Sequence, residues 1–206
     1  MTIKAVSFDI GGVLEKVSDL DEWLEALRRR LGIDQVALEA ALAAVDPRSL
    51  IGTGDMSEAD FRAGYRDAFG LSDAETDDFM ARMWDWYCGE LDTEMFAFAE
   101  GLRPAYATGI ISNSADGARR EEQARYLFEQ LVDDIVYSHE VGLVKPDPKI
   151  YELACERLGV EPDELVFIDD TQICVDGAAA IGIHAVLHES TPDTIARVKA
   201  VLSTAG

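Results

Sequence analysis

The chain has 206 residues and a formal net charge of −22, with 40 acidic and 18 basic residues. A charge this negative repels nucleic acids and anionic lipid surfaces, so we expect neither as a partner. Hydrophobic residues make up 48% of the chain, which excludes intrinsic disorder and is enough for a sizeable core.

The first predicted element is a buried strand over residues 3–9, because its apolar run is short, continuous and followed by glycines. This run is too short for a signal peptide and has no small-residue cleavage site, so we expect a cytoplasmic protein. No later run approaches the roughly 20 apolar residues that span a bilayer, so we expect no membrane contact. The scattered cysteines Cys88, Cys155 and Cys174 form no CxxC pair and fit reduced packing residues.

Residues 15–90 show helical periodicity and predict a bundle of about four helices. Serine or aspartate stands at the start of each predicted cap helix, at Ser18, Asp34, Ser57 and Ser72, as is typical of N-cap residues. We find no convincing strand pattern in this range.

From residue 108 onward, strand patterns alternate with helix patterns. The predicted strands cover residues 108–112, 134–138, 165–169 and 183–187, and the predicted helices cover 117–130, 148–158, 173–181 and 192–203. This alternation predicts an α/β fold with a doubly wound parallel sheet, which strand 3–9 joins because it has no partner nearby in sequence. The chain then divides into an α/β core of residues 1–14 and 91–206, with residues 15–90 inserted as a helical cap domain.

Polar residues stand where four of the predicted parallel strands end. In chain order they are Asp9, Ser112, Asn113, Lys145, Asp169 and Asp170. Ligands bind outside the carboxyl ends of the strands in such sheets, so we expect these side chains to converge. Each residue alone fits ordinary turn or helix-cap chemistry, whereas the adjacent carboxylates at 169 and 170 repel each other and favour a cation.

The segments around these residues resemble the four motifs of the haloacid dehalogenase superfamily, in the subgroup with a helical cap inserted after the first motif. They read VSFDIGGVL, IISNS, VGLVKPDPKIY and FIDDTQICVDGAAAIGIHAV, and GTGDMSEADF resembles a segment common in such caps. The resemblance implies a Rossmann-like core and Mg²⁺-dependent hydrolysis of a small phosphorylated metabolite through an aspartyl-phosphate on Asp9. The sequence leaves open whether the protein is a monomer or a homodimer.

The residues themselves suit this chemistry. Mg²⁺ prefers hard oxygen ligands. The candidate ligands are the carboxylates of Asp9, Asp169 and Asp170 and the backbone carbonyl of Gly11. Asp9 is the candidate nucleophile, and Ser112 and Lys145 complete the candidate catalytic set. The residues expected to contact the phosphate are Gly11, Gly12, Ser112, Asn113 and Lys145. Missing side chains at the two glycines would let a phosphate approach the backbone, although Gly12 also fits a plain tight turn.

Gly11 departs from the family pattern, because most family phosphatases carry there an aspartate that acts as general acid and base. General acid–base catalysis typically raises the rate of a reaction ~10²–10⁴-fold. Three alternatives follow: a slow or leaving-group-selective phosphatase, an enzyme in which Glu15 or a metal-bound water substitutes, or a catalytically silent module that binds Mg²⁺ and phosphate. A 2-haloacid dehalogenase, which also lacks that aspartate and uses no metal, is the other enzyme candidate. The Asp169–Asp170 pair argues against it.

Overall fold

The computed structural model describes residues 2–17, 19–46 and 50–204. The strands are β1 (Ala5–Phe8), β2 (Glu15–Lys16), β3 (Glu90–Leu91), β4 (Ala107–Ser112), β5 (Asp134–Tyr137), β6 (Leu165–Asp169) and β7 (His184–Leu187). The α-helices are α1 (Leu20–Leu31), α2 (Gln35–Val45), α3 (Glu58–Phe69), α4 (Asp73–Cys88), α5 (Thr93–Gly101), α6 (Ala118–Tyr126), α7 (Phe128–Leu131), α8 (Ser138–Val141), α9 (Pro148–Leu158), α10 (Gln172–Ala180) and α11 (Thr191–Thr204). Short 3₁₀ segments cover Leu50–Thr53 and Pro162–Glu164.

The central sheet is parallel, with its described strands in the order β5-β4-β1-β6-β7. In the middle strand, Phe8 pairs with Ile110 of β4 and with Ile168 of β6. All four residues of β1 are buried, as expected for a strand covered by helices on both faces. This register brings the carboxyl ends of β1, β4 and β6 to one edge and confirms the predicted α/β fold.

Each face of the sheet buries its own apolar cluster. Phe8, Met95 and Phe128 belong to the cluster on one face, and Tyr151 and Phe167 belong to the other. Cys88, Cys155 and Cys174 are free and buried, which fits the packing role predicted for them. Among the described residues, no helix has both the length and the apolar character needed to cross a membrane.

Helices α1 to α4 form the predicted helical cap between β1 and β4. The side chains of Asp34, Ser57 and Ser72 accept backbone N–H bonds at the starts of α2, α3 and α4, as predicted. Ser18 lies outside the described residues, and Asp19 caps α1. The chain enters and leaves the cap through β2 and β3, which pair in antiparallel fashion. This short sheet was not predicted, because two-residue strands leave no periodic pattern.

The cap contacts the core through polar groups. Ser138 Oγ of the core donates to the Gly52 carbonyl of the cap at 2.7 Å. The Arg120 guanidinium of α6 donates to both carboxylate oxygens of Glu58, at 2.8 and 2.9 Å. Glu58 also accepts the indole N–H of Trp84 at 2.8 Å, so this ion pair is tied to the cap interior.

The core differs from prediction in three places, one of which is the short helix α8, whose first residue was predicted as the end of a strand. The predicted helix 117–130 is split into α6 and α7, because Leu127 adopts a left-handed conformation with φ of 58°. The break directs Phe128 into the core, where it is fully buried. Helix α5 was not predicted, although Asp92 caps its first turn.

Candidate active site

A buried lysine joins two of the predicted site carboxylates. Lys145 Nζ lies 2.8 Å from Asp9 Oδ1 and 2.7 Å from Asp169 Oδ2. Burial by itself would lower the pKa of Lys145, but the two carboxylates outweigh it and raise that pKa above its ordinary value. Lys145 therefore remains protonated between the two carboxylates, and its ion pair with Asp9 restrains the Asp9 side chain.

Asp9 follows β1 directly and is held at its backbone and side chain. Its N–H donates to the Ile168 carbonyl at 2.8 Å, and its Oδ1 accepts the Ile10 N–H at 2.8 Å. Burial raises the pKa of Asp9 to about 6, although Lys145 pulls it down. At neutral pH the carboxylate is therefore the main form, as a nucleophile requires.

Three carboxylates converge at this edge of the sheet. Asp9, Asp169 and Asp170 each place one oxygen within 4.8 Å of the other two. Thr171 organises the pair at the end of β6: its N–H donates to Asp169 Oδ1 at 2.8 Å, and its hydroxyl donates to Asp170 Oδ1 at 3.1 Å. Asp169 therefore bonds Thr171 through one oxygen and Lys145 through the other. Asp9 and the exposed Asp170 are then better placed as direct ligands of a cation.

The structure requires a glycine at position 12 but not at position 11. Gly12 has φ of +75°, and a Cβ there would lie 2.1 Å from Asp170 Oδ2, so the carboxylate occupies the space that a side chain would fill. Its N–H donates to the Glu15 carbonyl at 2.8 Å, which makes it part of a turn. At Gly11 a Cβ would meet nothing closer than Val17 Cγ2 at 3.4 Å, an ordinary contact. Space therefore does not demand a glycine at position 11.

Asn113 uses both ends of its side-chain amide to hold Lys145. Its Nδ2 donates to the Lys145 carbonyl at 3.0 Å, and its Oδ1 accepts the Lys145 N–H at 2.7 Å. The bond from Nδ2 uses one of its two N–H donors, so the other could still contact a phosphate. Ser112, the preceding residue, ends β4 and is buried at the same edge of the sheet.

The structure thus brings every predicted site residue to one edge of the sheet, but their catalytic and binding roles stay predictions. The positioning residue Thr171 was missed, although its place directly after the paired aspartates could have signalled it. A second group of buried polar side chains was also missed. Its members are Glu122 and Tyr137, with the half-buried Tyr87 and with Glu15, which was considered only as a substitute acid–base group; no sequence pattern connects the four.

Comparison with known proteins adds independent information. A protein-family model described as haloacid dehalogenase-like hydrolase matches residues 3–182. The structure of wild-type HAD family enzyme BT-2542 from Bacteroides thetaiotaomicron, in complex with magnesium and inorganic phosphate, superimposes with a TM-score of 0.77. That pair is 25% identical in sequence, and the match covers 91% of this chain and 94% of the other.

Curated relatives of two kinds are similar in sequence. Over 88 residues the chain is 32% identical to (S)-2-haloacid dehalogenase 4A of Burkholderia cepacia, a match that covers 42% of this chain and 38% of that protein. Over 112 residues it is 33% identical to Phosphatase MT3486 of Mycobacterium tuberculosis, covering 53% of this chain and 51% of the relative. The chain therefore spans about half or less of the length of these relatives.

Proposed function

The chain belongs to the haloacid dehalogenase-like hydrolase family, and from that premise we propose that it hydrolyses phosphate monoesters with Asp9 as nucleophile and Mg²⁺ as cofactor. The observation that carries this proposal is the cluster of Asp9, Asp169 and Asp170 oxygens within 4.8 Å, with Lys145 bonded to two of these residues. The solved relative that holds magnesium and inorganic phosphate supports it. Within the family, the helical cap after the first motif favours the subgroup whose caps are inserted at that position.

The site residues fit Mg²⁺, because carboxylate oxygens close to one another are the hard ligands that this ion prefers. Asp9, Asp170 and the Gly11 carbonyl would hold the ion, with Asp169 beside them. When bound, Mg²⁺ supplies positive charge that offsets the repulsion between an attacking carboxylate and a phosphate dianion. This charge also explains how so acidic a chain could hold an anionic substrate.

The proposed reaction has two steps on Asp9. A carboxylate oxygen of Asp9 attacks phosphorus, the bond to the leaving oxygen breaks, and that oxygen takes up a proton to become the alcohol. Water then attacks phosphorus of the aspartyl-phosphate, which releases inorganic phosphate and restores Asp9. Lys145 would neutralise charge on the transferred group, and Ser112 would donate a hydrogen bond to it.

Gly11 limits which leaving groups suit this site, because it cannot deliver a proton. Glu15 lies beside it, with a backbone bridge between the two residues. Burial, and then the charge of Glu122, raise the pKa of Glu15 to about 10, far from the near-neutral value that suits an acid–base group. We therefore propose turnover that favours leaving groups needing little protonation.

A 2-haloacid dehalogenase is the second candidate function, and Gly11 together with the dehalogenase relative favours it. In that reaction Asp9 would attack the carbon that carries the halogen, and no metal would be needed. Among the residues that the structure describes, the carboxylate of Asp170 would then have only the Thr171 hydroxyl as a hydrogen-bond partner and no cation to balance its charge. The third candidate, a silent module that binds Mg²⁺ and phosphate, rests on Gly11 alone.

The experiment that separates these functions measures two products with and without EDTA. We expect phosphate release from p-nitrophenyl phosphate that needs Mg²⁺ and is lost in Asp9→Asn, with no chloride release from 2-chloropropionate. Chloride release that survives EDTA would establish the dehalogenase instead. Tight binding of phosphate esters without any turnover would establish the silent module.

A further inference from the structure

Two buried glutamates near Asp9 have carboxyl oxygens that accept no hydrogen bond from any residue the structure describes. Glu15 is 1% exposed and Glu122 is 0% exposed. The oxygens concerned are Glu15 Oε1, Glu15 Oε2 and Glu122 Oε1. Buried polar groups in folded proteins are almost always hydrogen-bonded, so these three oxygens call for donors that the described residues do not supply, either ordered water or a ligand.

Both glutamates are tied to the elements that carry the predicted site. Glu15 forms a backbone bridge with Gly11, two residues after Asp9. Glu122 Oε2 accepts the hydroxyl of Tyr137 at 2.6 Å, and Tyr137 is the register partner of Ser112 in the sheet. Glu15 is thus joined to the loop that follows β1, and Glu122 is joined to the last residue of β5.

The cap adds a fourth polar side chain to this group. Tyr87, near the end of α4, accepts the N–H of Ala115 in the loop that follows β4. Burial is the main reason that the pKa values of Glu15, Glu122 and Tyr87 are raised, and the charge of Asp9 contributes to all three. We name Glu15, Tyr87, Glu122 and Tyr137 the acidic pocket.

The number and kind of unpaired atoms decide which ligand fits. A primary ammonium group has three N–H donors, which matches the three unpaired oxygens, whereas a hydroxyl group has one donor. Burial keeps Glu15 and Glu122 protonated at neutral pH, with pKa values of about 10 and about 8, but a neighbouring ammonium charge favours their ionised forms. Hydrogen bonds between an ammonium and a carboxylate are stronger than neutral ones. The neighbouring Arg125 does not donate to these oxygens, because its guanidinium donates to the carboxylates of Glu121 and Asp85.

We propose that the acidic pocket binds a primary ammonium group on the alcohol part of the substrate, so that the substrate is a short aminoalkyl phosphate. Its positive charge would stabilise the leaving oxygen, which suits a site where Gly11 offers no acid. This inference rests on the proposed phosphatase function. The phosphate would lie against Asp9 and Lys145, and the ammonium group would lie between Glu15 and Glu122, under the cap.

Four probes of similar size test the proposal: 2-aminoethyl, 2-(trimethylammonio)ethyl, 2-hydroxyethyl and ethyl phosphate, each with Mg²⁺. The trimethylated probe keeps the charge and its effect on the leaving group but has no N–H donor. We expect kcat/KM for 2-aminoethyl phosphate to exceed that for each of the others by on the order of 10-fold or more. Equal or faster turnover of the 2-hydroxyethyl or trimethylated probe would overturn the assignment.

Substitutions test which residues cause the preference for 2-aminoethyl phosphate. In Glu122→Gln and in Glu15→Gln we expect the preference for 2-aminoethyl over trimethylated phosphate to fall to near 1, while the exposed control Glu156→Gln retains it. Thermal unfolding of each variant checks that it is folded, and the near-isosteric amide leaves the side-chain volume almost unchanged. A preference that survives in both pocket variants would show that other residues bind the ammonium group.

Calorimetry separates failure of this inference from failure of the phosphatase proposal. Binding of the same four probes is measured with the wild-type protein and with Asp9→Asn, in the presence of Mg²⁺. Tighter binding of 2-aminoethyl phosphate without any turnover would refute hydrolysis and support the pocket. Turnover of p-nitrophenyl phosphate with equal binding of all four probes would refute the pocket alone, and absence of both would refute both.

Discussion

Replacing Gly12 with alanine tests whether the position of Asp170 controls the proposed metal site. The new Cβ would lie 2.1 Å from Asp170 Oδ2 and 2.5 Å from its carboxyl carbon, and real Cβ atoms essentially never come within 3.0 Å. The carboxylate therefore has to shift by about 1 Å, and Mg²⁺ demands ligands at roughly 2.0–2.1 Å in near-ideal octahedral geometry. We expect the Mg²⁺ concentration for half-maximal activity to rise about 10- to 100-fold, as for other disturbed metal shells.

Gly70→Ala is the matched control for this variant. Gly70 has φ of +64°, close to the +75° of Gly12, but a Cβ there would meet nothing within 4 Å. Left-handed backbone strain of about 1–2 kcal/mol applies to both substitutions. Both should therefore lower Tm by about 2–4 °C for each kcal/mol, and only Gly12→Ala should change the Mg²⁺ requirement.

The assay is hydrolysis of p-nitrophenyl phosphate by EDTA-treated protein, with Mg²⁺ titrated back, alongside thermal unfolding of both variants. If Gly12→Ala and Gly70→Ala show the same Mg²⁺ dependence, Asp170 is not a ligand whose position matters. The account of Gly12 as a residue that makes room for a metal ligand would then be wrong.

Three further variants test other parts of the structure. Gly11→Asp, for which there is space, should speed hydrolysis of alkyl phosphates by at least ~10²-fold and of p-nitrophenyl phosphate much less, since only the former need a proton; equal gains would contradict this. Asn113→Ala removes both bonds to the Lys145 backbone and should lower kcat on the order of 10- to 100-fold and destabilise the protein by about 1–3 kcal/mol, because buried backbone groups lose their partner; an unaltered kcat would show that the amide does not position the lysine. Glu58→Gln should destabilise the protein by about 1 kcal/mol at pH 7 and shift Trp84 fluorescence. Hydrogen bonds from Arg120 lower the pKa of Glu58 in the folded protein. The stability that ionised Glu58 contributes is therefore fully present above its ordinary pKa and is lost as the pH falls through the lower pKa of the folded state. A Glu58→Gln destabilisation that stays the same in acid would contradict this.

Much of the fold could be predicted because it leaves periodic or punctuating signals in the sequence. The parallel strands are short apolar runs between helices, and the cap helices begin at Asp34, Ser57 and Ser72. The break at Leu127 could not be predicted, because a leucine gives no sign that it will adopt φ of 58°. There the burial of Phe128 decides the backbone conformation, and burial is a property of the whole fold.

The candidate site could also be predicted only in part. Convergence of Asp9 and Asp170 follows from strand order, because parallel strands bring their carboxyl ends to one edge. The hydrogen bonds from the Asn113 amide to the Lys145 backbone, and from the Tyr137 hydroxyl to Glu122, depend on contacts between segments distant in sequence. Chemistry at strand ends could thus be anticipated from one sequence, whereas the residues that position it and that select a substrate required the structure.

The most direct test of the central proposal is to locate the phosphoryl group during turnover. The wild-type protein is mixed with p-nitrophenyl phosphate and Mg²⁺, quenched in acid within the first turnovers, and analysed by peptide mass spectrometry. We predict a phosphoryl group on Asp9 that requires Mg²⁺ and is absent in Asp9→Asn. Steady release of phosphate with no modified Asp9, or with the label on another residue, would contradict the account.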